Sequence, residues 1–173
     1  MPEPQPSPPG LGAAVDPDID LRVASSRREW SSHRWVLPVI ALGGMLGATA
    51  RYLVATAYPA PVGGVPWATF AINVTGCLLI GVLMVFVVEV GGTHPLLRPF
   101  LGVGVLGGYT TFSTYTVETL GLLRHGAPVA AMAYLLLTAL AALLAVTLGA
   151  FATRGALALV HRRGRRTDRE VHR

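Results

Sequence analysis

Leu101–Leu123 reads LGVGVLGGYTTFSTYTVETLGLL. Gly102, Gly104, Gly107 and Gly108 lead into Tyr109, Thr110, Thr111, Phe112, Ser113, Thr114, Tyr115 and Thr116. The run is apolar enough to enter a membrane, yet it joins helix-weakening Gly and Thr to a row of hydroxyls. That combination predicts a helix broken near Gly107–Thr111. Broken backbone at membrane depth survives only where it is buried in protein or lines a watery cavity. It frees carbonyls for a cation and opens half-helix N-termini that favour an anion. Phe112 and Tyr115 stand three apart, on one face if the helix resumes there. Their ring edges carry partial positive charge, which suits contact with a small anion.

The flanks explain why such a segment lies in a membrane. Of 173 residues, 52% are apolar and only 13% charged, about half the charged share of a soluble domain. Val36–Thr153, a stretch of 118 residues, holds only Arg51, Glu89, Arg98, Glu118 and Arg124. A soluble enzyme needs more polar surface than that. Four apolar stretches succeed one another: Trp35–Ala57, Trp67–Val88, about Leu96–Leu123 and about Val129–Thr153. Each reaches the roughly 20 residues that cross a hydrocarbon core of about 30 Å. The predicted fold is an all-α membrane protein: four transmembrane helices, the third broken, over residues 35–153. Residues 1–34 are Pro-rich and carry Asp16, Asp18 and Asp20, which predicts a disordered tail. Residues 154–173 form a basic C-terminal tail.

The net charge is +5, and all 14 basic residues are arginine. With four spans, the tails and Arg98 put twelve arginines on one side and Arg124 alone on the other. The positive-inside rule then places both termini in the cytoplasm and the body in the plasma membrane. Basic residues that flank a hydrophobic body suit a membrane surface, and no nucleic-acid partner is expected. Cys77 is the only cysteine, so no internal disulfide or thiolate cluster is available. The body has no Asp, no HExxH and no phosphate loop, so no enzyme activity is expected.

Each ionisable or amide side chain inside the body is a functional candidate, because its burial is costly. Arg51, in GGMLGATARY, is either an interfacial anchor or part of a site. Asn73, in FAINVTG, is either a helix–helix hydrogen bonder or a donor facing a pore. Glu118 can accept from hydroxyls, pair with Arg51, or titrate. Tyr134 and Thr138 lie at i and i+4, with Ala142 next in the row, making a short polar stripe.

GGMLGATARY at Gly43–Tyr52, the Asn73–Gly76 pair and GGYTTFSTYTVE at Gly107–Glu118 occur in the order and spacing of one family. The chain resembles the CrcB/Fluc family of fluoride channels over about Trp35–Thr153. The resemblance implies an antiparallel, dual-topology dimer in the lipid bilayer, with the fluoride ion passing along its interface. It places Asn73, Phe112, Tyr115, Thr111, Ser113, Thr114, Tyr134, Thr138, Arg51 and Glu118 along the fluoride pathway. It gives the carbonyls of Gly107 and Thr110 a structural Na⁺ at the dimer interface. Tyr115 stands where the family has phenylalanine, and Ala142 where it often has a hydroxyl. A chain that prefers one orientation argues for a heterodimer with an oppositely oriented paralogue as readily as for a homodimer. One rival is a proton-coupled small multidrug-type transporter. That class needs a carboxylate in the first span, and Trp35–Ala57 has none. The other rival is a structural membrane subunit.

Overall fold

A computed structural model of the chain describes residues 35–87 and 95–171, with side chains as far as Val160. The described helices are α1 (Val36–Ala57), α2 (Trp67–Val85), α3 (Gly107–Tyr109), α4 (Ser113–Arg124) and α5 (Pro128–Val171). A π-helical run, Pro99–Leu106, leads directly into α3. No strand occurs among the described residues. α1, α2 and the Pro128–Val160 part of α5 are each long and apolar enough to cross a membrane. The expected tail 1–34 lies outside the described residues, as do 88–94, which include Glu89.

The third apolar stretch is helical in two pieces, because the backbone leaves the helix at Thr110, with φ −74° and ψ 156°, and α4 starts only at Ser113. This is slightly later than the glycines suggested. Gly107 and Gly108 are themselves helical. Several of the glycines have a different task, the close approach of backbones. A Cβ on Gly108 would lie 2.5 Å from the Gly44 carbonyl oxygen, and one on Gly43 would lie 2.5 Å from that of Phe100. α1 thus packs on the π-helical run and α3 backbone to backbone. α2 and α5 meet the same way, Gly81 against Val146 and Ala150, and Gly149 against Leu78 and Val82. Helices in lipid gain little from hydrophobicity and associate through small residues of this kind.

α4 ends in a Schellman turn. Gly126 takes φ 72°, and its N–H bonds Leu123 while that of Ala127 bonds Leu122. Pro128 then opens α5, where its missing N–H costs nothing. The turn folds α5 back on α4, and Tyr115, Leu122, Ala131 and Tyr134 form a small buried cluster between them. The outer surface is the reverse of a soluble protein's. Leu136, Leu137, Leu140, Leu143, Leu144 and Leu148 of α5 are all exposed, a surface suited to lipid or to another helix rather than to water. α5 also continues past Thr153 to Val171, so the basic C-terminal segment extends the last helix.

Candidate functional site

Unwinding a helix inside a membrane strips backbone N–H and C=O groups of their partners, and each must find another. Here side chains from α1 and α2 supply them. The Thr111 N–H donates to Asn73 Oδ1 at 2.9 Å, and Asn73 Nδ2 donates back to the Thr111 carbonyl at 2.9 Å. The buried amide of α2 thus pairs with Thr111 as a neighbouring strand would. Arg51 Nη1 of α1 donates to the Thr110 carbonyl at 3.4 Å. The Thr111 hydroxyl accepts from the Thr114 N–H at 3.2 Å, capping the first turn of α4, and donates to Thr114 Oγ1 at 3.0 Å. Gly76, one turn beyond Asn73, leaves the room that the Thr110 methyl occupies. Arg51, Asn73, Thr110 and Thr111 therefore converge on the break. Arg51 and Asn73 thus both brace backbone groups that the break takes out of the helix.

The break also releases oxygen. The Thr111 N–H, which would close a helical bond to the Gly107 carbonyl, is given to Asn73 instead. The Thr110 carbonyl projects from extended backbone. Hard carbonyl oxygens of this kind suit Na⁺, and among the described residues no cluster of His, Cys, Asp or Glu offers a metal an alternative. Two carbonyls do not complete a coordination shell, so such an ion would need further oxygen ligands. It would also share the Thr110 oxygen with the Arg51 guanidinium.

A second polar group lies along α4. Thr69 Oγ1 donates to Glu118 Oε1 at 2.9 Å, and the Tyr134 hydroxyl donates to Oε2 at 3.0 Å. Of the three roles open to Glu118, accepting from hydroxyls is the one seen. Tyr115 lies between these groups. Its ring centroid is 5.3 Å from that of Tyr134 and 5.9 Å from that of Phe112, and its hydroxyl donates to the Leu135 carbonyl. Phe112 and Tyr115 are neighbours but do not share an exposure: Phe112 is 78% exposed and Tyr115 only 6%. Ser113 and Thr114 are exposed beside Phe112.

Most helical threonines here bond the carbonyl four residues back, as Thr49, Thr75, Thr116, Thr119 and Thr147 do. Thr69, Thr114 and Thr138 in the helices, and Thr111 in the break, do not. Thr69 serves Glu118, Thr111 serves α4, and Thr138 Oγ1 is buried without a partner. An unpaired buried hydroxyl calls for a ligand or a water. Sequence reasoning passed over Thr69, although it lies one turn before Asn73 and so on the same face of α2. It also passed over the Thr75–Tyr109 hydroxyl pair, 3.1 Å apart, for which spacing offered no signal.

Tyr115→Phe removes one donor from Leu135, costing about 0.5–1.5 kcal/mol, and keeps the ring. A thermal melt should fall slightly while ion flux stays within a few-fold of wild type. A collapse of flux would give the hydroxyl itself a part in transport.

A multi-pass helical body whose broken helix is braced by polar side chains at membrane depth belongs to the class of membrane ion-conducting or transporting proteins. Residues 38–150 match the family described as CrcB-like protein, Camphor Resistance (CrcB), and the chain belongs to that family. It is 58% identical over 127 residues to the fluoride-specific ion channel FluC 2 of Nocardia farcinica, covering 73% of this chain and 91% of that protein. It is 51% identical over 134 residues to the fluoride-specific ion channel FluC 1 of Streptomyces coelicolor, covering 78% and 87%. It is 49% identical over 124 residues to the fluoride-specific ion channel FluC 2 of Streptomyces avermitilis, covering 71% and 78%.

Proposed function

We propose that the chain is a fluoride-selective ion channel, and not an enzyme, that lets cytoplasmic fluoride leave passively across the plasma membrane and so relieves fluoride toxicity. Family membership and relatives of up to 58% identity named fluoride-specific channels support this reading. They do not favour the multidrug-type transporter, whose first-span carboxylate α1 also lacks. The structural observation that carries the proposal is the break at Thr110–Phe112, held open by Asn73 and Arg51.

Hydrogen fluoride enters a cell as a neutral weak acid and dissociates in the more alkaline cytoplasm, trapping the anion. Moving that small anion through lipid requires donors that replace its tightly held water at close range. Asn73 keeps one amide hydrogen beyond the one given to Thr111. Thr111, Ser113, Thr114, Tyr134 and Thr138 supply hydroxyls, with Thr138 Oγ1 unpaired. Phe112 and Tyr115 supply ring edges, and Arg51 supplies positive charge near the break. Glu118, which accepts from Thr69 and Tyr134, orients those two hydroxyls. The Gly107 and Thr110 carbonyls would hold a structural Na⁺, which contributes positive charge beside the anion path.

The chain works as an antiparallel pair spanning the membrane with four helices per protomer, the broken helix counting as the third. The second protomer is either an inverted copy or an inverted paralogue. The tail arginines, which favour cytoplasmic termini, support the paralogue. Streptomyces avermitilis has relatives named both FluC 2 and FluC 3, so a single organism can hold more than one such chain. Expressing the chain in a bacterium stripped of its own fluoride exporters tests the function. Restored growth in fluoride, by the chain alone or together with a paralogue, is the expected result, and growth no better than an empty vector in both cases overturns it. Rescue that appears only on co-expression of a paralogue identifies the heterodimer.

A further inference from the structure

α5 does not end where a membrane does. Its 44 residues make a rod of about 66 Å at 1.5 Å per residue, more than twice a hydrocarbon core of about 30 Å. The mostly apolar part, Pro128–Val160, has 33 residues with Arg154 as its one charge, about 50 Å of helix. With moderate tilt that length fills the roughly 40–45 Å of core plus headgroups. Phe151, Leu159 and Val160 are 68%, 63% and 67% exposed, so the bilayer and not water is the medium that accepts them. Val160 therefore lies at the level of the headgroups. Arg162, Arg163, Arg165 and Arg166 come next on the same helix. They start two residues past Val160, about 3–9 Å of rise. That distance lies within about one Debye length of the headgroups at physiological salt. Arg169 comes after them, and Asp168 and Glu170 offset only part of the charge. All of these cations are arginines, whose planar fork grips phosphate through paired hydrogen bonds.

We infer that the basic extension of α5 docks on anionic phospholipid headgroups of the leaflet from which it emerges. The inference needs α5 to cross the membrane. It does not need the chain to conduct fluoride, and it concerns a segment beyond the matched residues 38–150. Each arginine near an anionic surface favours it about fivefold, so four of them in a turn and a half make a strong local preference. The contact fixes the level and tilt at which α5 leaves the bilayer.

The test uses the full-length protein in mixed micelles of equimolar phosphatidylglycerol and phosphatidylcholine, with retained lipid counted by native mass spectrometry. Wild type should retain phosphatidylglycerol preferentially. Arg162→Gln, Arg163→Gln, Arg165→Gln and Arg166→Gln together should cut that preference about a hundredfold or more, with elution and thermal melt unchanged. Equal retention of both lipids by wild type overturns the inference. So does a variant that keeps the full preference. Protection of these arginines from trypsin in neutral nanodiscs, lost on deleting residues 1–20, would instead assign them to Asp16, Asp18 and Asp20 and overturn the lipid assignment.

Discussion

Asn73→Asp should abolish fluoride efflux. The substitution preserves size and shape but replaces the Nδ2 donor with an oxygen that faces the Thr111 carbonyl across about the same gap, 2.9 Å in wild type. It also places a negative charge in a buried site beside the proposed path of the anion. An uncompensated buried charge costs about 3–5 kcal/mol, roughly a hundredfold or more if expressed in the transport barrier. Asn73→Ala separates the two contributions. It leaves the Thr111 N–H and C=O unpaired, at about 1–3 kcal/mol each, without adding charge. Liposome efflux and thermal melts of both variants check the account. Loss of flux in Asn73→Asp with a near-native melt assigns the effect to charge in the path. A large fall in both melts assigns it to the brace. Undiminished flux in Asn73→Asp contradicts both roles.

Gly47→Val should disrupt assembly of the α1 interface outright. A Cβ at Gly47 would lie 2.8 Å from the Tyr109 nitrogen and closer still to the Val105 carbonyl. Both neighbours are backbone atoms of packed helix, so neither can move aside as a side-chain end can. Overpacking of this kind costs about 1–3 kcal/mol even where the core can adjust, and valine adds two methyls beyond the first carbon. The displaced segment ends at Tyr109, immediately before the break, so the Arg51–Thr110 and Asn73–Thr111 contacts move with it. Size-exclusion chromatography in detergent should show aggregated or absent protein. Gly121→Ala is the control, since a Cβ there meets nothing within 4 Å, and its elution should match wild type. A monodisperse, active Gly47→Val protein would show that the α1 contact is not as tight as described.

The break was legible in the sequence because Gly and Thr crowd one apolar run, and it falls at the C-terminal end of the expected Gly107–Thr111 range. Gly107 and Gly108 look like helix breakers in one dimension. In three dimensions Gly108 is a contact surface for α1, and the backbone turns out of the helix only where Asn73 and Arg51 stand ready to receive it. No spacing rule connects Asn73 to Thr111, 38 residues away, so the double hydrogen bond had to be seen. Glu118 was recognisable as a costly buried group, whereas its partner Thr69 looked like any other helical threonine. The exposure of Phe112 and the burial of Tyr115 likewise depend on how α4 sits against α5. The charge pattern carried the most information, since five charged residues in 118 already forced a membrane body and left arginines to mark its ends.

Passive passage of fluoride along the braced break is the proposal on which the rest depends. It is tested most directly by reconstituting the purified chain in liposomes, with its paralogue where one exists. Fluoride and chloride release are then measured in parallel with no proton gradient. The account predicts rapid fluoride release and chloride release no faster than from empty liposomes. Equal release of the two anions, or fluoride release only when a proton gradient is imposed, would contradict it.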